Sequence, residues 1–174
     1  MILRVYPMNK NIVLIGFMGS GKSMIARELG DRLKRDVVAT DDLAEIREGK
    51  TILEIFKSKG EAYFRNLETE IIKEVSLRRG IIIDCGGGSV LVPKNLKFLK
   101  TNGIIFYLQA TPLVIYQRIK NEKHRPLLKV PDPLGRIKEL YQQRLPLYNQ
   151  ADYTIDANDA SIEGPVVEIL SKIN

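Results

Sequence analysis

The amino-acid sequence predicts an α/β fold in which helices cover both faces of a parallel sheet. Short apolar segments alternate with segments whose apolar residues recur every three or four positions, the patterns of buried strands and of helices. The chain has 174 residues, with neither an internal repeat nor a low-complexity linker. Because a chain of this length fits one compact core, we expect residues 1–174 to form a single domain.

The first strand, helix and second strand have clear signals. Residues 11–15 read NIVLI, an apolar run typical of a buried strand. After Lys22, apolar residues at four-residue spacing define one face of a helix: Ile25, Leu29 and Leu33. Residues 36–39, DVVA, predict a second short strand. This alternation is the order that a parallel sheet requires.

Two helical segments fill the region between the second and third strands. One runs from Asp41 to about Ser58 and is predicted to break near Gly49. The other runs from about Gly60 to Arg79, and its apolar side is formed by Phe64, Leu67, Ile71 and Val75. The third strand, IIID at 81–84, leads directly into Cys85 and three glycines.

The next strand and helix continue the alternation. A helix near residues 93–101 precedes the fourth strand, IIFYL at 104–108. Thr111 is a favourable N-cap and Pro112 a favourable first helical residue, so another helix is predicted to begin there.

The stretch from about residue 121 to 135 differs from the rest of the chain. It contains prolines and charged residues but few apolar ones, which predicts a loop or a mobile lid. The helix after it is predicted to end before Pro146, since proline breaks the helical hydrogen-bond ladder. A last strand at 152–155 and a closing helix at 161–173 complete the predicted fold.

A glycine-rich motif lies between the first strand and the first helix. The segment GFMGSGKS, from Gly16 to Ser23, fits the pattern G-x-x-x-x-G-K-[ST]. Its glycines let backbone N–H groups point at phosphate oxygens, and the helix N-terminus adds a partial positive charge. Lys22 is expected to reach the β- and γ-phosphates and Ser23 to offer its hydroxyl to Mg²⁺. The residues expected to bind ATP here are Gly19, Ser20, Gly21, Lys22, Ser23 and Met24.

This motif leaves the phosphate acceptor open, because GTPases, ATPases and small-molecule kinases share it. The chain is too short for the added domains of motor ATPases, and it has no N-K-x-D string of the kind that recognises guanine. The formal net charge of +6 favours anionic ligands. The basic residues are scattered and no RNA-binding aromatic signature is present, so nucleic acid is not the expected partner.

Several short strings follow one another in a characteristic order. They are GFMGSGKS at 16, TDDLAE at 40, GEAYFRNLE at 60, CGGG at 85, RPLL at 125 and QRLPLY at 143. Together they cover the chain from about residue 12 to about residue 150, and in this order they resemble the shikimate kinase family. The resemblance implies a three-layer αβα sandwich with a five-stranded parallel sheet and a lid, as in nucleoside monophosphate kinase-like proteins. It also implies transfer of the γ-phosphate of ATP to shikimate, with Mg²⁺ required.

The resemblance implies roles for residues around the acid substrate. Asp41 would bind ring hydroxyls and orient or deprotonate the attacking one, while Arg65 and Arg144 would hold the carboxylate. Three glycines would approach the ring with their backbone: Gly86, Gly87 and Gly88. Arginine suits a carboxylate because its planar guanidinium can hold both oxygens. Arg65 precedes Glu68 by three residues on a predicted helix, so Glu68 either holds Arg65 in place or forms only a surface ion pair with it.

Two further arginines are implied at the nucleotide. Arg125 would move with the lid onto the phosphates and stabilise the transition-state charge, and Arg118 would lie against the adenine. The alternative for Arg125 is a solvated loop arginine. The adjacent His124 has no expected role, and Cys85 is interpreted as a small buried side chain. The adenine contacts near residues 158–165 are not assignable from the sequence.

One residue departs from the family pattern. Shikimate kinases carry D-[ST]-D where this chain reads Ala39-Thr40-Asp41, so the aspartate that helps hold the hydrated Mg²⁺ is absent. Asp42 and Asp84 are the two candidates to replace it. Asp84 ends an apolar strand, as the acidic residue of a Walker B strand does, and we hypothesise that it binds Mg²⁺ through water. The alternative is that Asp84 caps a turn.

Composition predicts the location and assembly of the protein. A single cysteine excludes an internal disulfide, no signal peptide is recognisable, and no apolar run approaches the roughly 20 residues that span a bilayer. We therefore expect a cytoplasmic protein without a membrane partner, and a monomer, because no apolar helix stripe is left over. Two other functions stay open: a kinase for another polyhydroxy acid such as gluconate, and a non-catalytic nucleotide-binding paralogue.

Overall fold

The computed structural model describes residues 9–122 and 129–173, and these residues contain a five-stranded, wholly parallel sheet. The strands are β1 (Asn11–Ile15), β2 (Val37–Ala39), β3 (Ile82–Asp84), β4 (Gly103–Gln109) and β5 (Tyr153–Asp156). Their order across the sheet is β2-β3-β1-β4-β5. All five predicted strands are present, within one residue at either end.

The described residues also form seven α-helices and one short 3₁₀ helix. The α-helices are α1 (Lys22–Leu33), α2 (Thr40–Glu48), α3 (Ile52–Ser76), α4 (Pro93–Asn102), α5 (Pro112–Ile119), α6 (Pro133–Tyr148) and α7 (Glu163–Ile173). The 3₁₀ helix, Ser89–Leu91, follows the three glycines and was not predicted. Within the described ranges no helix is long and apolar enough to cross a membrane.

The helices are divided between the two faces of the sheet. Ile12 and Leu14 of β1 belong to a core shared with α1 and α7, whereas Val13 and Ile15 belong to a core shared with α2 to α6. Successive side chains of a strand point to opposite faces, so an all-apolar β1 needs a helical layer on each side. The predicted three-layer αβα architecture is confirmed.

Two glycines shape the chain between β2 and β3. Helix α2 ends at Gly49, which has a left-handed φ of 63°, as the predicted break requires. Helix α3 then begins with a capping box, in which Thr51 Oγ1 accepts from the Glu54 N–H and the Glu54 carboxylate accepts from the Thr51 N–H. Gly60, with φ 82° and ψ 169°, puts a kink inside α3. The predicted helix from Gly60 is therefore the second arm of one kinked element.

The prediction that the helix after the lid ends before Pro146 is wrong. Helix α6 continues to Tyr148, two residues beyond the proline. A proline this close to a C-terminus removes one hydrogen bond, and the Asn149 N–H still donates to the Leu145 carbonyl at 3.0 Å. Tyr148 is fully buried and stacks on Tyr107 of β4 at 4.9 Å, so packing holds the last turn in place.

The predicted lid lies only partly within the described residues. Its last three residues, 133–135, belong to α6, whose N-cap Asp132 accepts a hydrogen bond from the Gly135 N–H. Residues 123–128, which include His124 and Arg125, lie outside the described residues. The lid and the role of Arg125 stay predictions.

Candidate active site

The glycine-rich loop between β1 and α1 encloses the side chain of Lys22. Gly19 and Gly21 have left-handed φ values of 75° and 94°, which the tight turn into α1 requires. The Lys22 ammonium donates to the carbonyls of Gly16 at 2.9 Å and Phe17 at 3.1 Å. A buried cation is thus held inside the loop at the N-terminus of a helix, a site suited to phosphate.

This loop opens onto a cavity of ≈ 470 Å³ at the carboxyl edge of the sheet. The first turn of α1 contributes Lys22, Ser23 and Met24. The ends of β2 and β3 and the segments that follow them contribute Ala39, Asp41, Asp42, Asp84, Gly86 and Gly87. Parallel strands bring their carboxyl ends to one edge. The predicted phosphate-binding residues meet part of the predicted acceptor site there, namely Asp41, Gly86 and Gly87.

Asp84 lies beside Ser23 and beside the position of the missing aspartate. The Ser23 hydroxyl donates to Asp84 Oδ2 at 2.6 Å. Asp84 is 7% exposed and is paired in register with Ala39 on the neighbouring strand. Burial raises the pKa of Asp84, while the Lys22 ammonium and the Ser23 hydrogen bond act in the opposite direction. Asp42 borders the same cavity but is exposed.

The oxygen atoms at Ser23 and Asp84 fit Mg²⁺. Mg²⁺ takes oxygen ligands, keeps several of its waters, and is commonly held by one or two carboxylates together with substrate phosphates. Within residues 9–122 and 129–173 no group of three or more His, Cys, Asp or Glu side chains could hold a metal ion by itself. A hydroxyl and a carboxylate next to a phosphate loop therefore match the partial ligand set that Mg²⁺ uses with a nucleotide.

Asp41 is placed against the backbone of Gly86. A Cβ added to Gly86 would collide with Asp41 Oδ1 and lie 3.0 Å from Glu68 Oε1. The Gly86 N–H donates to the Thr40 hydroxyl at 3.0 Å, which ties the first turn of α2 to the end of β3. Burial raises the pKa of Asp41 and the nearby Lys22 ammonium opposes that rise. A side chain at position 86 would therefore require the Asp41 carboxylate to move.

Arg65, on the second arm of α3, is held by two acidic side chains and lies against Gly88. Its guanidinium donates to Glu68 Oε2 at 2.7 Å and to Glu61 Oε1 at 3.3 Å. A Cβ added to Gly88 would lie 2.8 Å from the Arg65 Cζ. The predicted contact between Arg65 and Glu68 is present, and it is not a surface pair, because Glu68 is only 2% exposed.

Glu68 is a buried acid with one oxygen still available. Burial raises the pKa of Glu68 to about 6, although the Arg65 guanidinium opposes this rise. Its Oε1 atom has no hydrogen-bond partner among the residues that the structure describes. This acceptor faces Gly86, next to the Asp41 carboxylate.

Arg144 faces the same cavity as Arg65. This second cavity, of ≈ 610 Å³, has both arginines in its wall, together with Arg136 and Glu61. Its apolar wall is formed by Met18, Ile52, Leu53, Phe56, Leu91 and Leu140. The Arg144 guanidinium donates to the Gly87 carbonyl at 3.3 Å and lies 5.3 Å from the centroid of the Phe17 ring. Three arginines and one glutamate in a mostly apolar cavity leave a net positive charge, which suits a small organic anion.

Arg118 lies at a third cavity, of ≈ 400 Å³, on the other side of the loop. Its guanidinium donates to the carbonyls of Ala157 at 2.8 Å and Asp159 at 2.6 Å, and to that of Gly19 at 3.3 Å. Ile162 and Pro165 also line this cavity, so the stretch that the sequence left unassigned borders it. The cavity shares Gly19, Gly21 and Met24 with the first cavity, which contains Lys22, Ser23 and Asp84 and is called the phosphate cleft below.

Sequence reasoning missed three residues that shape the site. Thr40 binds the Gly86 N–H, Phe17 lies beside the Arg144 guanidinium, and the Tyr148 hydroxyl donates to the Gly87 carbonyl at 2.6 Å. The four-residue spacing of Arg144 and Tyr148 on one helix was the available signal for Tyr148. Cys85 is buried as predicted, and burial raises the pKa of its thiol well above the ordinary value, so it is not a thiolate nucleophile.

Comparison with known proteins identifies the family. The sequence profile described as shikimate kinase matches residues 18–174. A shikimate kinase of Caldanaerobacter subterraneus subsp. tengcongensis is 44% identical, with 92% of this chain and 94% of that protein covered. A shikimate kinase of Thermodesulfovibrio yellowstonii is also 44% identical, with 94% of each chain covered.

Solved structures agree with the sequence comparisons. Shikimate kinase from Acinetobacter baumannii in complex with shikimate has a TM-score of 0.89 at 36% identity, covering 94% of this chain and 92% of that one. Shikimate kinase from Aquifex aeolicus has a TM-score of 0.81 at 38% identity, covering 94% and 95%. A gluconokinase from Sinorhizobium meliloti, at 17% identity and a TM-score of 0.61 over 98% and 93% of the two chains, shares the fold alone. The loop, the acidic strand ends and the paired arginines thus occur in a chain that belongs to the shikimate kinase family.

Proposed function

We propose that this protein transfers the γ-phosphate of ATP to a ring hydroxyl of shikimate, giving ADP and shikimate 3-phosphate. One observation carries the proposal: a cavity with two arginines, Arg65 and Arg144, adjoins a phosphate cleft that contains Lys22 and Asp41. The glycines at 86–88 lie between them, in contact with Asp41 and with Arg65. A substrate that has both a carboxylate and a hydroxyl can therefore span the two cavities.

Lys22 is proposed to bind the transferred phosphate. Its ammonium is held inside the loop by two carbonyl oxygens, and Lys22 lines the cavity in which the phosphates would bind. Phosphoryl transfer depends chiefly on positioning and on neutralising the charge on the phosphate oxygens. A buried cation at a helix N-terminus contributes to both.

Ser23 and Asp84 are proposed to hold Mg²⁺, with Asp84 acting through water. When bound, Mg²⁺ would neutralise charge on the phosphates. The 2.6 Å hydrogen bond between the two side chains supports a shared site. Ala39 and Asp84 are paired on neighbouring strands, so Asp84 places a carboxylate one strand away from the position of the missing aspartate.

Asp41 is proposed to bind and orient the attacking hydroxyl. Its carboxylate lies close enough to Lys22 for the two charges to interact, and burial shifts the pKa of Asp41 upward from its ordinary value. A carboxylate of raised pKa is a better proton acceptor than an ordinary aspartate. The hydroxyl proton would pass to Asp41 as the oxygen–phosphorus bond forms and the bond to ADP breaks.

Arg65 and Arg144 are proposed to bind the substrate carboxylate. Glu68 and Glu61 orient the Arg65 guanidinium, and the Gly87 carbonyl accepts from Arg144.

Arg118 is proposed to lie against the adenine, in a cavity that Ile162 and Pro165 also line. Arg125, outside the described residues, is proposed to close over the phosphates.

The direct test is to identify the phosphorylated product. Purified protein would be incubated with γ-labelled ATP, Mg²⁺ and shikimate, and the label would be followed by chromatography and mass spectrometry. We expect the label on shikimate, with no transfer by a Lys22→Met variant. Label that stays on ATP, or that leaves only as inorganic phosphate, would contradict the proposal. We also propose that the protein is a monomer; sedimentation equilibrium would test this.

A further inference from the structure

Tyr148 ends helix α6 with its side chain pointing inward. Its residue exposure is 0%, and its hydroxyl donates to the Gly87 carbonyl at 2.6 Å. Arg144, one turn earlier on the same helix, donates to the same oxygen at 3.3 Å. One backbone carbonyl of the three-glycine segment therefore receives two side chains from the last turns of α6.

The position of Tyr148 is set by the sheet. Its ring stacks on that of Tyr107 in β4, with 4.9 Å between the centroids and 9° between the planes. The Tyr107 hydroxyl is itself within 3.0 Å of the Tyr141 hydroxyl, two turns before Tyr148 on α6. Burial raises the pKa of Tyr148 to about 12, so its hydroxyl keeps its proton and stays a donor at neutral pH.

The hydrogen bonds to the Gly87 carbonyl orient the whole peptide group between Gly87 and Gly88. A peptide group is planar and trans, so the direction of the Gly87 carbonyl also fixes the direction of the Gly88 N–H. Gly87 lines the phosphate cleft, and Gly88 lies against the Arg65 guanidinium. Glycine has the largest backbone freedom of any residue, so the hydrogen bonds that this segment makes limit its conformation. The carbonyls of Gly86 and Gly88 accept from backbone N–H groups of the 3₁₀ helix, and that of Gly87 accepts from Tyr148 and Arg144.

We propose that Tyr148 is a positioning residue for the acid substrate, because its hydrogen bond to the Gly87 carbonyl sets the Gly87–Gly88 peptide against Arg65 and Arg144. The proposal rests on the proposed function, since it concerns how the same site binds its substrate. Tyr148 is in the wall of neither the phosphate cleft nor the cavity with Arg65 and Arg144. It acts through the glycine backbone and through the oxygen that it shares with Arg144.

The test is Tyr148→Phe, which removes the hydroxyl and keeps the ring for stacking. The matched control is Tyr141→Phe, which removes another buried hydroxyl from the same helix and the same aromatic cluster. We expect Tyr148→Phe to raise the KM for shikimate about tenfold, the factor that corresponds to one net hydrogen bond, and to leave the KM for ATP within about twofold. We expect Tyr141→Phe to change neither KM by more than about twofold.

A second measurement reports on the glycines directly. With ¹⁵N-glycine labelling, we expect the Gly88 amide resonance to shift in Tyr148→Phe and to stay in place in Tyr141→Phe. Melting temperatures of both variants would show that each is folded at the assay temperature, and the amide spectrum can be recorded at lower temperature if Tyr148→Phe is unstable.

Three results would overturn the inference: an unchanged KM for shikimate in Tyr148→Phe, an equal rise in Tyr141→Phe, or an unmoved Gly88 resonance. A wild-type protein that does not phosphorylate shikimate would instead refute the proposed function, so the two failures are distinguishable.

Discussion

Ala39 and Asp84 stand side by side at the ends of two neighbouring strands. Neighbouring side chains on parallel strands in register lie on the same face of the sheet, so a carboxylate at either position can reach the same region. Asp84 accepts a hydrogen bond from the Ser23 hydroxyl, which is the proposed Mg²⁺-binding hydroxyl. Asp84 is therefore our proposed replacement for the missing aspartate, in preference to Asp42, which is exposed.

Replacing Asp84 tests this relocation. We expect Asp84→Asn to raise the Mg²⁺ concentration for half-maximal activity at least about tenfold, the range seen when an outer-shell partner of a metal is lost. The same rise is expected when Mg²⁺-dependent ATP binding is measured by calorimetry, without turnover. Asp42→Asn is the control and should leave the Mg²⁺ titration in place. An unchanged titration in Asp84→Asn would contradict the assignment, and recovery in the double variant Ala39→Asp, Asp84→Asn would support it.

Glu68 should make stability depend on pH. Its pKa rises from the ordinary value of 4.5 to about 6 on folding, so the folded state binds the proton more tightly than the unfolded chain. The resulting stabilisation is fully present below about pH 4.5 and is lost as the pH rises through about 6. A shift of this size corresponds to about 2 kcal/mol.

The measurement is the free energy of unfolding of wild type and of Glu68→Gln at several pH values. We expect the wild type to lose stability relative to the variant between about pH 4.5 and 6.5. A constant difference across this range would show that the burial of Glu68 does not shift its pKa.

At the scale of elements, the kink in α3 places Arg65. Gly60 has φ 82° and ψ 169°, a region that essentially only glycine occupies. Nothing lies within 4 Å of a Cβ added there, so an alanine at this position would cause no clash with its neighbours. Its cost would come only from the unfavourable φ and ψ angles. Arg65 follows on the arm that the kink redirects, so a change of backbone conformation at Gly60 would also move the guanidinium.

We expect Gly60→Ala to lower stability by about 2 kcal/mol and to raise the KM for shikimate while sparing that for ATP. Thermal unfolding and steady-state kinetics measure the two effects. Gly164→Ala is the control, because Gly164 lies in α7 with no positive φ and nothing within 4 Å of an added Cβ. It should lose no stability, since alanine has the higher helix propensity. Equal effects of the two substitutions would show that the kink is not needed.

The elements differ in how far the sequence predicts them. Strands β1, β3 and β4 were found because their apolar runs are buried on both faces, a signal carried by the segment itself. Strands β2 and β5 lie at the two edges of the sheet, are partly exposed, and carry a weaker signal. The end of α6 was missed because the stacking of Tyr148 on Tyr107 outweighs the local effect of Pro146, and that contact joins residues 41 positions apart. The contacts of Thr40 with Gly86 and of Tyr148 with Gly87 were missed for the same reason: each needs the sheet order before it can be seen.

At the scale of the whole molecule, three cavities lie in a row around the loop that follows β1. The cavity at Arg118 shares loop residues with the phosphate cleft. The phosphate cleft in turn shares Met18 with the cavity that contains Arg65 and Arg144. A nucleotide can therefore lie across the first two cavities and an acid in the third, with the two substrates meeting beside Asp41. The parallel sheet produces this arrangement because its carboxyl edge collects residues from β1, β2 and β3.

We expect the carboxyl edge of the sheet to bind an acid and to phosphorylate its hydroxyl. The most direct measurement is coupled ADP release with ATP, Mg²⁺ and shikimate, run beside quinate and gluconate, for wild type and for Arg65→Gln. For the wild type we predict robust turnover with shikimate and little turnover with quinate or gluconate. For Arg65→Gln we predict a KM for shikimate at least about tenfold higher, because a charged hydrogen bond to the substrate carboxylate is lost. Bound ATP without shikimate-dependent ADP release, or equal rates with gluconate, would show that the proposed function is wrong.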